Sequence, residues 1–247
     1  MLSKAKIKYI KSLQIKKFRR LHQEFLVEGA KSVLELLNST FTISLLVVTE
    51  SFLKQYEREI KNSGAELIIV SESELNDLGS FSSNNAALAV AKTKENKELS
   101  INPEELILVL DEVKDPGNLG TIIRIADWYG IKKICCSEET AEFYNPKVIS
   151  SSMGSFTRIE IYYTVLEAFL KSQTGATVYG ALLEGTNIHQ MKALRPSGFL
   201  IMGNESNGIH PNLIPYITHK VSIPRRGPAE SLNVAIATAV LCDNILR

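Results

Sequence analysis

The sequence predicts an α/β protein of two successive domains, the second organised around a parallel sheet. Three observations carry this expectation. Apolar runs alternate with helical patterns along the chain. The alternation is interrupted by the polar stretch Lys92-Thr93-Lys94-Glu95-Asn96-Lys97-Glu98, ending near Asn102-Pro103, which reads as an interdomain linker. Beyond it the strand candidates are apolar along nearly their whole length, as strands covered on both faces are. The domains are accordingly placed at 1–97 and 104–247.

In the first domain, strand candidates at 25–27, 43–48, 67–70 and 86–91 are interleaved with helical patterns at 30–37 and 52–62, giving a small sheet of four strands. Lys4, Lys6, Lys8, Lys11, Lys16, Lys17, Arg19 and Arg20 all precede the first acidic residue, Glu24, so the chain opens on a concentrated basic arm. Such an arm can neutralise phosphates without reading sequence. It can equally be the wet face of a helix. In the second domain, strand candidates at 106–110, 133–136, 159–163, 178–182, 199–202 and 221–223 alternate with helical patterns that include 121–129, 165–171 and 232–246.

Composition removes several classes of function. The net charge of +1 hides the basic arm and by itself gives no sign of a nucleic-acid partner. No apolar run reaches the roughly 20 residues of a membrane-spanning helix, and the basic N-terminus lacks a secretory pattern, so a cytoplasmic protein with no membrane partner is expected. Cys135 and Cys136 are adjacent, Cys242 stands alone, and His22, His189, His210 and His219 are scattered. None has metal-ligand or redox spacing, so no metal is expected.

Three segments of the second domain carry the chemistry. The first, Asp111-Glu112-Val113-Lys114-Asp115-Pro116-Gly117-Asn118-Leu119-Gly120, reads as a Pro-Gly turn opening a helix whose N-terminus suits an anion, with Arg124 in the opening turns. It lacks the glycine spacing of a dinucleotide fingerprint and the lysine of a phosphate loop. The second, Gly203-Asn204-Glu205-Ser206-Asn207-Gly208, follows an apolar strand; its glycines let backbone approach a ligand, and Glu205 stands on a tight turn. The third runs from Ile223-Pro224-Arg225-Arg226-Gly227 to Glu230-Ser231-Leu232-Asn233-Val234. Ser231 is a candidate helix N-cap, and Leu232, Ile236, Ala239, Val240 and Leu246 recur at core-facing intervals. Ligands of parallel sheets sit beyond the carboxyl ends of the strands, where all three segments fall.

Taken together, these residues resemble the SpoU (TrmH-type) family of RNA ribose 2′-O-methyltransferases, of the SPOUT class. Asn118, Gly120 and Arg124 match the family's first motif, Gly203, Glu205 and Gly208 its second, and Ser231-Leu232-Asn233-Val234 its third. Ser152-Met153-Gly154-Ser155 resembles a further family element, and Phe25-Leu26-Val27-Glu28-Gly29 resembles the start of an L30e-like RNA-binding domain. The resemblance implies a C-terminal trefoil knot, an exception to the usual connection rules. It also implies a homodimer and S-adenosyl-methionine as cofactor. Gly203, Ile223 and Leu232 would supply backbone contacts to it, with Leu182, Asn204 and Pro224 nearby.

The implied reaction is an in-line displacement that needs an aligned ribose hydroxyl and a route for its proton. Arg124 is the family's candidate. A guanidinium with a pKa above about 12 is a poor base, so Arg124 either activates the hydroxyl beside an RNA phosphate or stabilises alkoxide charge. Glu205 and Asn233 are expected to hold Arg124 and the substrate, and Asn118 to fix the first loop. Lys16, Lys17, Arg19 and Arg20 are expected to bind RNA, ribosomal rather than transfer RNA and not DNA. A silent RNA-binding homologue and a base-modifying SPOUT enzyme are the alternatives.

Overall fold

A computed structural model of the chain describes residues 2–79, 84–191 and 194–247. It divides into two compact units, Met1–Glu95 with Tyr144–Thr157, and Asn96–Phe143 with Arg158–Arg247.

The first unit contains α1 (Lys4–Ser12), α2 (Lys16–His22), β1 (Glu24–Glu28), α3 (Ala30–Leu37), β2 (Ile43–Val48), α4 (Glu50–Gln55), α5 (Glu57–Ser63), β3 (Glu66–Ile69), α6 (Glu72–Asn76) and β4 (Ala87–Lys92). Its sheet has the order β1-β4-β2-β3, with β4 antiparallel to both neighbours and β2 parallel to β3. Leu26, Leu45, Val47, Leu88 and Val90 from the strands bury against Ile10 and Leu13 at the end of α1 and Leu75 and Leu78 at α6. The single helix read at 52–62 is two helices, broken at Tyr56.

The segment Tyr144–Thr157 lies inside the second domain in sequence yet packs with the first unit. Aromatic burial is the physical reason. The Phe25 ring of β1 meets Tyr144 at 4.6 Å and Phe156 at 6.0 Å between centroids, and Phe41 joins Phe156 at 5.9 Å. Pro146–Ser151, α8 in chain order, packs against β1. Such rings each bury a large apolar area and hold the segment there.

The second unit contains β5 (Leu106–Leu110), α7 (Pro116–Trp128), β6 (Lys133–Cys136), β7 (Glu160–Tyr163), α9 (Leu166–Ser172), β8 (Val178–Asn187), β9 (Gly198–Met202), β10 (His219–Ser222) and α10 (Val234–Ile245). The sheet order is β10-β8-β9-β5-β6-β7, and every adjacent pair is parallel. β5, with all five residues buried, lies between β9 and β6. The α/β class and the parallel sheet are thus as the sequence predicts.

Two helices of this unit differ from expectation. α7 begins at Pro116 rather than at 121, because Asp115 caps it by accepting from the Asn118 amide at 2.8 Å and Pro116 fills the first turn. Arg124 therefore stands in the third turn, not the opening ones. α10 is capped by Asn233 rather than Ser231, its side chain accepting from the Ala235 and Ile236 amides. Its core face is Val234, Ala235, Thr238, Leu241, Cys242 and Ile245, whereas Leu232 and Ile236, read as core-facing, are 51% and 53% exposed. The helix is apolar nearly all round, so periodicity could not select the buried face.

Gly198 opens β9 at φ +100°, and a Cβ there would stand 2.2 Å from the Thr177 carbonyl oxygen. Gly198→Ala should lower unfolding free energy by about 1–3 kcal/mol, the scale of a strained backbone position, as measured by urea denaturation.

Candidate active site at the strand ends of the second unit

β5 and β9 are neighbours in register, Leu110 opposite Met202, so the loops that follow them leave the sheet side by side. The loop after β9, residues 203–210, is a tight hairpin in which Asn204 and Gly208 exchange both main-chain hydrogen bonds at 2.9 Å. A Cβ on Gly203 would lie 2.2 Å from the Gly208 carbonyl carbon, so this glycine admits the loop's own backbone. The Asn204 side chain completes the turn, accepting from the Ser206 and Asn207 amides and donating to the Glu112 carbonyl at 2.9 Å. With its main chain and amide thus engaged, Asn204 serves the loop's shape first.

That shape presents Glu205 to α7. The Asn118 amide donates to Glu205 Oε1 at 2.7 Å, and Asn118 Oδ1 accepts from Asn233 Nδ2 at 2.9 Å. One polar chain, Glu205–Asn118–Asn233, therefore joins all three segments singled out in the sequence. Each member is positioned by its element: Glu205 by the hairpin, Asn118 by the first turn of α7, and Asn233 by capping α10. Glu205 and Asn233 hold Asn118 here, rather than Arg124 as expected.

Arg124 is exposed and forms no hydrogen bond or ion pair among the described residues. It lies six residues beyond Asn118 on α7, about 9 Å along the helix axis. A free guanidinium can receive a phosphate or a developing oxyanion. Gly203 and Leu232 are the chain neighbours of Asn204 and Asn233, and Ile223 and Pro224 directly follow β10. No group of residues suited to a metal ion occurs among the described residues.

Sequence reasoning missed Asp111. It is 5% exposed at the end of β5, and its Oδ2 accepts from the His210 amide at 2.6 Å. Burial pushes its carboxyl above the usual carboxylate range, against the lowering effect of that hydrogen bond. The available signal was an acidic residue directly after an apolar strand. Asp111, Glu112, Glu138, Glu139, Glu167 and His210 line a hollow of about 190 Å³ past the ends of β5 and β6.

In the first unit Lys16, Lys17 and Arg20 are exposed, but Arg19 is not. Its guanidinium is buried and donates to the Leu13 and Gln14 carbonyls at 3.0 and 2.8 Å, satisfying the end of α1. Arg19 is structural, and the phosphate-facing role expected of it is withdrawn.

Polar groups that converge from three loops at the carboxyl ends of a parallel sheet mark an α/β enzyme acting at its strand ends. The SpoU rRNA methylase family matches residues 105–243, and the MRM3-like substrate binding domain matches residues 4–89. The chain belongs to the SpoU rRNA methylase family. A curated relative, the 23S rRNA (guanosine(2553)-2′-O)-methyltransferase RlmP of Bacillus subtilis, is 32% identical over 96% of this chain and 94% of its own. A solved structure from Porphyromonas gingivalis, assigned to the TrmH family, is 34% identical with a TM-score of 0.85, covering 99% of this chain and 98% of its own. An AdoMet-bound rRNA methyltransferase from Sinorhizobium meliloti is 27% identical with a TM-score of 0.88, covering 99% and 95%.

Asn118→Asp would replace the donor facing Glu205 by a second carboxylate. Amide hydrogen exchange should then quicken in residues 203–210 and at the start of α10, while the sheet amides keep their protection.

Proposed function

We propose that this protein transfers a methyl group from S-adenosyl-methionine to a ribose 2′-hydroxyl of ribosomal RNA. The carrying observation is the chain Glu205–Asn118–Asn233, which brings the three motif segments to one place beyond the strand ends. Family membership and relatives that are named rRNA methyltransferases support the substrate class. The cofactor would be held by Gly203, Ile223 and Leu232 backbone, with Leu182, Asn204 and Pro224 beside it, and bound there it supplies an electrophilic methyl group. Arg124 binds the reacting nucleotide and either activates the 2′-hydroxyl beside an RNA phosphate or stabilises the negative charge that develops on the 2′-oxygen. Asn118, Glu205 and Asn233 keep the loops in register so that the hydroxyl is aligned. The match of residues 4–89 to a substrate binding domain supports RNA contact by the first unit, through Lys16, Lys17 and Arg20.

The same reading extends to assembly. The second unit leaves Trp128 85%, Leu183 78%, Leu232 51% and Ile236 53% exposed, and α7 packs against α10. Large apolar side chains left in solvent, Trp128 on α7 and Ile236 on α10 among them, support a homodimer through the second unit. Family membership supports a trefoil knot in the C-terminal part of the sheet. No helix among the described residues is long and apolar enough to cross a membrane. A ribosomal RNA substrate supports a cytoplasmic location.

Incubation with ribosomal RNA and cofactor, followed by nuclease mapping, should reveal a new 2′-O-methyl nucleotide; methylation of a base instead would overturn the ribose assignment. Arg124→Ala should keep fold and cofactor affinity but slow single-turnover transfer by at least about 100-fold. Replacing Lys16, Lys17 and Arg20 by alanine should weaken RNA binding and reduce its salt slope by about one per lost phosphate contact, with cofactor affinity unchanged by calorimetry.

A further inference from the structure

We propose that Asp111 is a positioning residue: its carboxylate latches loop 203–210 to the end of β5 and so sets Glu205 for the methyl transfer proposed above. The inference rests on that reading of the reaction and on four contacts. The Asp111 amide donates to the Met202 carbonyl at 2.9 Å, fixing where the loop begins, and Asp111 Oδ2 accepts from the His210 amide at 2.6 Å, fixing where it ends. The next residue grips the middle, since the Glu112 carbonyl accepts from Asn204 Nδ2 at 2.9 Å. Glu112 does so at φ +55°, an uncommon conformation for a residue with a side chain, and its amide is held by Ser137 Oγ at 2.9 Å. The Ser137 hydroxyl is in turn 3.1 Å from that of Thr140, which donates to the Leu110 carbonyl.

This arrangement distinguishes Asp111 from a residue that merely fills space. Burial first, and then the neighbouring Glu112 and Glu139, raise the proton affinity of its carboxyl, while the His210 amide and, more weakly, the His210 side chain favour the charged form. A buried carboxylate in such surroundings is costly, and an apolar residue would pack there more cheaply. What an apolar residue cannot do is hold the His210 amide. With that hydrogen bond lost, the loop would keep the bonds at Met202 and Asn204 and the burial of Ile209, but its closing end would lose its polar tie to Asp111, loosening the hairpin that holds Glu205 against Asn118. Asp111 acts through the loop rather than on the reacting atoms.

The test uses the full chain carrying Asp111→Ala or Asp111→Asn, each alone and with Glu205→Ala, in single-turnover methyl transfer at saturating cofactor and RNA. Asp111→Ala should slow transfer about 10-fold or more, the scale of a displaced catalytic group. Asp111→Asn, which keeps an acceptor oxygen for the His210 amide, should stay within about threefold of the parent. In the Glu205→Ala background the Asp111→Ala penalty should largely vanish, because the two residues act in series. Hydrogen exchange supplies a readout that needs no activity: the His210 amide and loop 203–210 should exchange faster in Asp111→Ala, with β5 and β6 unchanged. If the parent transferred no methyl group, the proposed function would fail and the exchange arm would still judge the latch. Unchanged loop exchange, a penalty of equal size with and without Glu205, or an Asp111→Asn variant as slow as Asp111→Ala would overturn it.

Discussion

The meeting of the second unit's three motif segments depends on one primary amide. The Asn118 side chain offers a donor to Glu205 and an acceptor to Asn233, joining residues 87 and 115 positions away in the chain. A carboxylate could only accept and an ammonium could only donate; an amide does both with fixed geometry. Two conditions must hold for it to work. α7 must start early enough to carry Asn118 in its first turn, which the Asp115 cap and Pro116 ensure, and α10 must start at Val234 so that its cap faces α7. The helix termini are thus components of the site, because the capping residues and the linking residues are the same or adjacent.

The sheet of the second unit could be read from the sequence because its strands are short apolar runs bounded by polar residues, and Leu106–Leu110 and Lys133–Cys136 coincide with their expected limits. The helix starts were harder. Pro116-Gly117 signals a turn and a helix entry with equal force, and only the Asp115 cap decides for the helix. Ser231 and Asn233 are both good capping residues, so composition could not choose between them. The break at Tyr56 and the packing of Tyr144–Thr157 with the first unit have no local signal, since both follow from tertiary burial. The site residues Asn118, Glu205 and Asn233 were visible as motif members, but their direct bonding was not. Asp111 was hidden because its role belongs to a loop almost a hundred residues away.

Charge on this protein is better understood by partner than by sum. Arg19, part of the basic arm in sequence, is internal and closes a helix end, whereas Arg124, isolated in sequence, stands open. The acidic side chains near the strand ends collect on the side of β5 and β6, around Asp111 and Glu139. A polyanion approaching the strand ends would be repelled from that side and drawn towards the exposed arginine. The electrostatic layout of the second unit therefore favours one orientation of a phosphate backbone before any specific contact forms.

β9 lies between β5 and β8, although β8 precedes it in the chain by only a short interval and β5 by about ninety residues. The β5–β9 pair is non-local, and pairs of that kind must meet their loop-closure cost before they form, which in general slows folding. Only once β9 is seated do loop 203–210 and α7 meet, so no half-folded chain can own a working pocket. A small molecule that grips all three loops would bind the finished protein alone and, by mass action, draw the folding equilibrium towards it.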